Sequence, residues 1–400
     1  MHRRVTLPLR SLVPSLAFAL ALGLGMALPS PVAAQTDVQR SAYHDFRVVT
    51  VAEGLVNPWS IAWLPGGDML VSERPGRLRI IRNGRLLPDS VAGLPPIRAE
   101  GQGGLLDVAP HPDFASNRLL YFSYSKPSAD GTRGATAVAR GRFENDRLSG
   151  VEDIFVAEVW SEGRGHYGSR LAFDGKGYLH ITLGDRQVPP TGDLGAHPAQ
   201  DLSNHFGKTI RLHDDGRVPA DNPFVGREGA LSQIWTYGHR NGQGLAIHPE
   251  TGDVWHSEHG PQGGDEINLL QPGKDYGWPV VGHGVNYRTG LAIHEGTMRE
   301  GMEPPVHVWI PSIGTSGLMI YTGDKFPEWR GNIFAGGMVG EQLVRLTMES
   351  RRVMNVEQLY QRKGRIRDVR QGPDGFIYLA IEDSRGGPTP IVRLEPAGSD

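Results

Sequence analysis

Gly372-Pro373-Asp374-Gly375-Phe376-Ile377-Tyr378-Leu379 reads as a chain reversal followed at once by a strand. Pro presets φ near about −65°, Asp bonds back to its own main chain and Gly supplies a positive φ, so the first four residues turn the chain. The apolar, β-branched and aromatic run behind them suits a pleated, buried strand. The phrase recurs. Leu64-Pro65-Gly66-Gly67-Asp68 precedes Met69-Leu70-Val71, His111-Pro112-Asp113 precedes Leu119-Leu120-Tyr121-Phe122, and Asp174-Gly175-Lys176-Gly177 precedes Tyr178-Leu179-His180-Ile181. His248-Pro249-Glu250-Thr251-Gly252 precedes Val254-Trp255, and Phe326-Pro327-Glu328 precedes Asn332-Ile333-Phe334-Ala335.

Six copies spaced by about 45 to 80 residues fit six four-stranded antiparallel units, and radial closure lets each sheet bury its faces against its neighbours. The expected fold is all-β, a six-bladed β-propeller; an irregular sandwich is the alternative. Asn83-Gly84 after Leu78–Ile81 suits a tight hairpin turn of type I′. The strand around Phe46–Val51 is placed to complete the last blade beside Ile391–Leu394 and so join the ends of the ring. Residues 186–207 and 282–305 lack strand character and are long enough to act as lids or binding loops at one mouth.

Composition supports this reading. The chain has 400 residues, 54 Gly and 30 Pro, against a helical bundle, since an interior Gly costs about 1 kcal/mol and a Pro about 3 in a helix. There is no Cys, which excludes a disulfide framework, a thiolate nucleophile, Cys-ligated metal and C-x-x-C-H haem attachment. Arg3, Arg4 and Arg10, an apolar stretch from Leu12 to Leu28 and the small residues Val32-Ala33-Ala34 lay out a secretory signal peptide over residues 1–34, with an uncleaved membrane anchor as the alternative. Removing it takes away three of the 41 basic residues and none of the 44 acidic ones, so residues 35–400, read as one propeller domain, carry a net charge of −6. A mildly acidic exported domain has no electrostatic footprint for nucleic acid, and no later apolar run suggests a membrane span. Small molecules are the expected partners, and the expected location is periplasmic or secreted.

Several segments carry groups with chemistry. Between Tyr237 and Pro279 the chain concentrates Gly238-His239-Arg240-Asn241, Ser257-Glu258-His259-Gly260-Pro261, Gly264-Asp265-Glu266-Ile267-Asn268 and Tyr276-Gly277-Trp278-Pro279. Carboxylates and bent-backbone carbonyls are the ligands hard cations such as calcium take; read alone, Asp265 and Glu266 are turn and strand-end charges. His166 stands in the loop entering the third unit and Asp185 follows that unit's strand, so both fall at one mouth if the strand runs along the blade. A carboxylate there fixes the imidazole tautomer, and a neutral His is a suitable base toward a hydroxyl; read alone, one His among 15 is a surface or packing residue. Arg365 and Arg367 alternate on a strand, share a face and form a fork for an anion, or else a solvated strand face. Gln102 lies in the Gly-rich run Glu100–Leu106.

Taken in order, Gly103-Gly104-Leu105-Leu106 with His111-Pro112-Asp113-Phe114, Gly238–Asn241, Glu258–Pro261 with Gly264–Asn268, Tyr276–Pro279 and Gly364-Arg365-Ile366-Arg367-Asp368 resemble the soluble pyrroloquinoline quinone (PQQ)-dependent aldose sugar dehydrogenases of the glucose/sorbosone dehydrogenase family. The resemblance covers essentially all of residues 35–400. It implies PQQ and calcium (Ca2+) at one propeller mouth, with oxidation of an aldose at C1 to a lactone by hydride transfer to the quinone. It implies His166 as the base, Asp185 as the acid that orients it, and Gln102, Arg240, Asn241, Arg365 and Arg367 as cofactor contacts. It also implies the carbonyls of Gly260 and Pro261 on the cofactor's calcium, Glu266 with Tyr276 on a second, structural calcium, and a separate electron acceptor. Where many relatives have a Lys near the cofactor, this chain reads Gly336-Gly337-Met338-Val339-Gly340; Gly242 stands where relatives often have Pro. The competing readings are a calcium-dependent propeller hydrolase of lactonase type, which needs carboxylates and amides converging on an axial ion, and a non-catalytic sugar-binding propeller.

Overall fold

The computed structural model describes residues 37–398; the leader expected at residues 1–34 lies outside them. Six four-stranded antiparallel sheets follow one another along the chain. Their innermost strands are Pro58–Trp63, Leu105–Pro110, Leu171–Phe173, Gly242–Ile247, Thr315–Ile320 and Arg365–Gln371, in blades 1 to 6. Each sheet runs outward in sequence order except the last. There the outermost place is filled by Phe46–Val56, which pairs with Pro388–Pro396 in a register that sets Val48 against Leu394 and Thr50 against Val392. The ring is therefore closed between the two ends of the chain, as the apolar segments of residues 46–51 and 391–394 led one to expect.

All six recurring turn phrases occupy one connection, the one between the first and second strand of each blade. Asn83 and Gly84 both take positive φ, 52° and 71°, and set Arg82 opposite Arg85 in a hairpin.

Sheets packed on both faces need strands that are apolar throughout rather than alternating. Ile377–Glu382 is buried at every position, as is Met69–Glu73. The core lies between neighbouring blades: Leu70 and Ile80 of blade 1 cluster with Val108 and Phe122 of blade 2, and Tyr321 and Phe334 of blade 5 with Val369 and Leu379 of blade 6. Each such side chain contributes about 1.5–3 kcal/mol by leaving water. Among the described residues no helix is long and apolar enough to cross a membrane.

Antiparallel pairing fixes the placement of everything polar. First strands begin at one mouth and second strands return to it, so the segments just before the first and just after the second strand of every blade meet there. The turn phrases lie at the other mouth.

Candidate active site

At the mouth opposite the turns a cavity of about 500 Å³ opens, within the usual size for a small-molecule site. Blade by blade, its wall includes Trp59 and Arg74, then Gln102, then Tyr167 and Gly168, then His259, Gly260 and Pro261, then Gly314 and Val339, and finally Arg365, Arg367 and Glu382. Tyr287 joins them from the long connection between the third and fourth strands of blade 4, so the expected loop over residues 282–305 does reach this mouth. The loop over residues 186–207 contributes nothing to the cavity wall; its first residues pack around His166 instead.

His166 and Asp185 meet. Nδ1 of His166 lies 2.6 Å from Oδ1 of Asp185, and both side chains are buried. The ionised carboxylate only accepts, so Nδ1 carries the proton and the lone pair belongs to Nε2. Asp185 takes two more donors, the Gln187 amide at 2.9 Å and the Trp278 indole at 2.8 Å. The main-chain N–H of His166 donates to Oε1 of Gln102 at 2.8 Å, which ties the imidazole's backbone to the cavity wall. Burial lowers the His166 pKa below its ordinary value, Asp185 works the other way, and Arg240 lowers it further. Burial works against the charge of Asp185, but His166 and Arg240 outweigh it and hold the carboxyl below its usual range. The pair is thus a neutral imidazole on an ionised carboxylate.

Strain concentrates at the same place. His166, Ser169, Arg186 and Gln187 all have positive φ, between 49° and 91°, in a region L-residues seldom occupy. Each costs of the order of 1–3 kcal/mol and persists only where the surroundings dictate it. Gly184 permits the close approach, since a Cβ there would sit 2.1 Å from the His166 carbonyl oxygen.

Blade 4 supplies Arg240 and Asn241. Arg240 accepts a hydrogen bond from the Asp185 amide through its carbonyl, donates its own amide to Glu258, and lays its guanidinium 5.3 Å from the Trp278 ring centroid. Its Nη1 donates to the Gly260 carbonyl at 2.7 Å and to that of His259 at 3.2 Å. Asn241 accepts from the Gly168 amide at 3.1 Å. Gln102, Gly260, Pro261, Arg365 and Arg367 line the cavity; His166 is tied to it through Gln102, Arg240 lines the adjoining crevice, and Asp185 and Asn241 are not among the lining residues. Arg365 and Arg367 do share a face: both approach Oε2 of Glu382, at 3.7 and 2.6 Å.

Glu266 and Tyr276 line a narrow crevice beside the cavity, together with Glu258 and Gly260. Glu258 and Glu266 are paired across adjacent strands. Burial, and then the charge of Glu258, push the Glu266 carboxyl well above its usual range. The Tyr276 hydroxyl is committed to Leu269 and Gln271, so the main-chain carbonyl is what Tyr276 can offer a cation.

A buried ionic cluster packs against Trp59 of the cavity wall. Arg170 stacks over Trp59 at 4.1 Å and lies 3.0 Å from Asp368 and 3.6 Å from Asp107; Arg370 bonds the same two carboxylates at 2.9 and 3.0 Å. Two cations neutralise two anions on the axis.

The family model for glucose / sorbosone dehydrogenases matches residues 55–393. The chain belongs to that family. Within the glucose/sorbosone dehydrogenases it is 42% identical over 356 residues to the aldose sugar dehydrogenase YliI of Escherichia coli (strain K12), covering 87% of this chain and 92% of that one. The crystal structure of the soluble aldose sugar dehydrogenase of Escherichia coli in its apo-form superimposes with a TM-score of 0.81 at 38% identity, over 88% of this chain and 99% of that one. The PQQ-bound form of an aldose sugar dehydrogenase from Streptomyces coelicolor does so with a TM-score of 0.71 at 28% identity, over 88% and 98%.

Sequence reasoning for this glucose/sorbosone dehydrogenase family member passed over Arg74, Glu382, His259 and the role of Trp278. One signal was available. A carboxylate ends or follows the second strand in four blades, as Glu73, Asp185, Glu258 and Glu382, and aligning those strand ends draws attention to Glu382 and to Arg74 beside Glu73.

Proposed function

We propose that this glucose/sorbosone dehydrogenase family member oxidises aldose sugars at C1 to lactones, with His166 as the general base and PQQ and calcium as its cofactors. One observation carries the reading: Arg365 and Arg367 share a cavity with Gln102, whose side chain holds the backbone of the His166–Asp185 pair. The donor set suits a planar tricarboxylate. Guanidiniums stay charged and bind carboxylates through paired N–H donors, and the buried Nε–H groups of Arg74 and Arg365 have no partner among the described residues.

When bound, PQQ with its calcium supplies the acceptor for the substrate's C1 hydride. The residues do the rest. Nε2 of His166 takes the proton of the C1 hydroxyl, and Asp185 keeps the ring in the required tautomer and stabilises it once protonated. Arg365 and Arg367 hold the anionic cofactor, while Trp59, Leu106 and Tyr167 give the cavity an apolar surface. For calcium, Gly260 and Pro261 are the proposed ligands at the cofactor. The Gly260 oxygen has a second lone pair beyond the one Arg240 uses. Glu266 with the Tyr276 carbonyl is the proposed second site, and the raised Glu266 carboxyl suits a cation there. A chain without cysteine has no thiol couple of its own to take the electrons onward, so a separate acceptor completes the cycle. Residues 1–34 are proposed as an export leader, and the N-terminus of the exported protein is expected at Gln35.

The hydrolase reading needs free carboxylates on the axis, and Asp107 and Asp368 are both neutralised by Arg170 and Arg370. The test is to add PQQ and Ca2+ to the purified protein and follow reduction of an artificial dye with several aldoses. Sugar-dependent reduction is expected, and His166→Ala should bind PQQ yet lose most turnover. Lactone hydrolysis without dye reduction overturns the assignment.

A further inference from the structure

We propose that Arg74 is a third carboxylate-binding cation of the cavity beside Arg365 and Arg367, and that Glu382 holds the three guanidiniums together. The inference rests on the reading that the cavity takes PQQ.

Arg74 follows Glu73, the last residue of the second strand of blade 1, so the fold delivers it to the cavity mouth. Its backbone is clamped from both sides: the amide donates to Asn57 at 3.0 Å and the carbonyl accepts from Leu105 at 3.2 Å. Gly104 makes that approach possible, because it has φ 151° and a Cβ on it would lie 1.9 Å from the Arg74 carbonyl oxygen. The side chain is about a quarter exposed, and its Nη1 donates to the Gly101 carbonyl next to Gln102.

Charge on this wall does not balance. Arg74, Arg365 and Arg367 face one carboxylate, Glu382, which is itself buried. Arg367 takes that carboxylate with two hydrogen bonds, from Nε at 3.0 Å and Nη2 at 2.6 Å. Arg74 and Arg365 stand at 3.6 and 3.7 Å, too far for a hydrogen bond, and the Nε of each is buried with no acceptor among the described residues. Buried donors and surplus charge are costly unless an anion meets them. The cavity's other carboxylate, Asp265, is taken by the Gly260 and Thr315 amides, so Arg74 and Arg365 remain free to meet carboxylates of a ligand beside Glu382. Val339 lines the same cavity, is 70% exposed and carries no charge, so blade 5 adds no cation to this wall.

The experiment titrates the full chain with PQQ in excess Ca2+ at low and high salt, reading the quenching of tryptophan fluorescence, for wild type, Arg74→Ala and Arg74→Lys. Arg74→Ala is expected to raise Kd about 10- to 100-fold and to flatten its salt dependence, with an unchanged melting midpoint. Arg74→Lys should keep the salt dependence and recover part of the affinity, since it keeps the charge and loses the fork. Wild-type affinity and salt response in Arg74→Ala overturn the proposal. Equal losses in both variants with an unchanged salt response also overturn it and make Arg74 a brace for the Gly101–Gln102 turn. A wild-type chain that binds no PQQ at all overturns the cofactor reading itself.

Discussion

Trp278 donates its indole N–H to Oδ2 of Asp185 at 2.8 Å while Oδ1 of the same carboxylate holds His166, so a loop of blade 4 helps position the His166 imidazole of blade 3. Replacing Trp278 by Phe keeps an aromatic ring against Arg240 and removes only the donor. A hydrogen bond to a charged group is worth about 1.5–3 kcal/mol. If the carboxylate's orientation is felt in the transition state, kcat falls about 10- to 100-fold. KM for the sugar should change little. Steady-state kinetics with saturating PQQ decide this, and a variant with unchanged kcat would show that the Gln187 amide alone orients Asp185.

The pH dependence follows from the same pair. His166 acts as a base only when neutral, and burial, opposed by Asp185 and assisted by Arg240, brings its pKa below the ordinary histidine value of 6.5. Lowering the pH protonates it, so activity is lost on the acid side. A depressed pKa moves that loss to below pH 6.5. The kcat/KM profile of the wild-type enzyme should therefore be flat across neutrality and fall only below pH 6.5. Asp185→Asn removes the charge that stabilises the imidazolium, so its acid limb should shift lower still while kcat drops. An acid limb centred above pH 7 contradicts the assignment of His166.

Glu266 gives a prediction for stability. Its carboxyl, raised by burial and by Glu258, binds a proton more tightly in the folded than in the unfolded chain. Its contribution is therefore fully present below the unfolded pKa of 4.5 and is lost as pH rises through the higher folded value. The calcium ion proposed beside Glu266 would take the proton's place. The gain in melting temperature on adding Ca2+ to the chelator-treated protein should thus be larger at pH 8 than at pH 5. Glu266→Gln should abolish most of that difference. Equal gains at both pH values in the wild type would place the ion elsewhere.

Legibility in the sequence differs between the two mouths. The turn phrases repeat because the first-to-second strand connection has one structural task in every blade, and that repetition sets the blade number; the closure was legible separately, in the strand signals of residues 46–51 and 391–394. At the cavity mouth each blade does something different, and no period links Gln102 to His166 or Arg365. Asp185 was legible because it follows a strand, and Arg365 with Arg367 because alternate residues share a face, even though a register shift falls between Ile366 and Asp368. The Trp278 contact spans 93 residues and depends on a connection that climbs from one mouth to the other. Asp107, Arg170 and Arg370 meet only when the ring is closed, and nothing local in the sequence marks any of them.

That axial group leads to the last prediction. The first strand of blade 3 is only three residues long, Leu171–Phe173, so backbone pairing does little to hold it at the axis. Arg170, just before it, does so instead: Nε donates to the Gln243 carbonyl at 2.6 Å, Nη2 to that of Arg367 at 3.2 Å, and Nη1 faces Asp107 and Asp368. The side chain is about 2% exposed. Arg170→Met fills much of the same space but leaves two buried carboxylates with Arg370 alone. Removing one partner from such a group costs about 3–5 kcal/mol, because the remaining charge is stranded away from water. The urea midpoint of Arg170→Met should fall accordingly with the slope unchanged. Substituting Asp107→Asn in the same chain removes part of the stranded charge and should recover some of the loss. A double variant as unstable as the sum of the two single ones would mean that the charges do not interact across the axis.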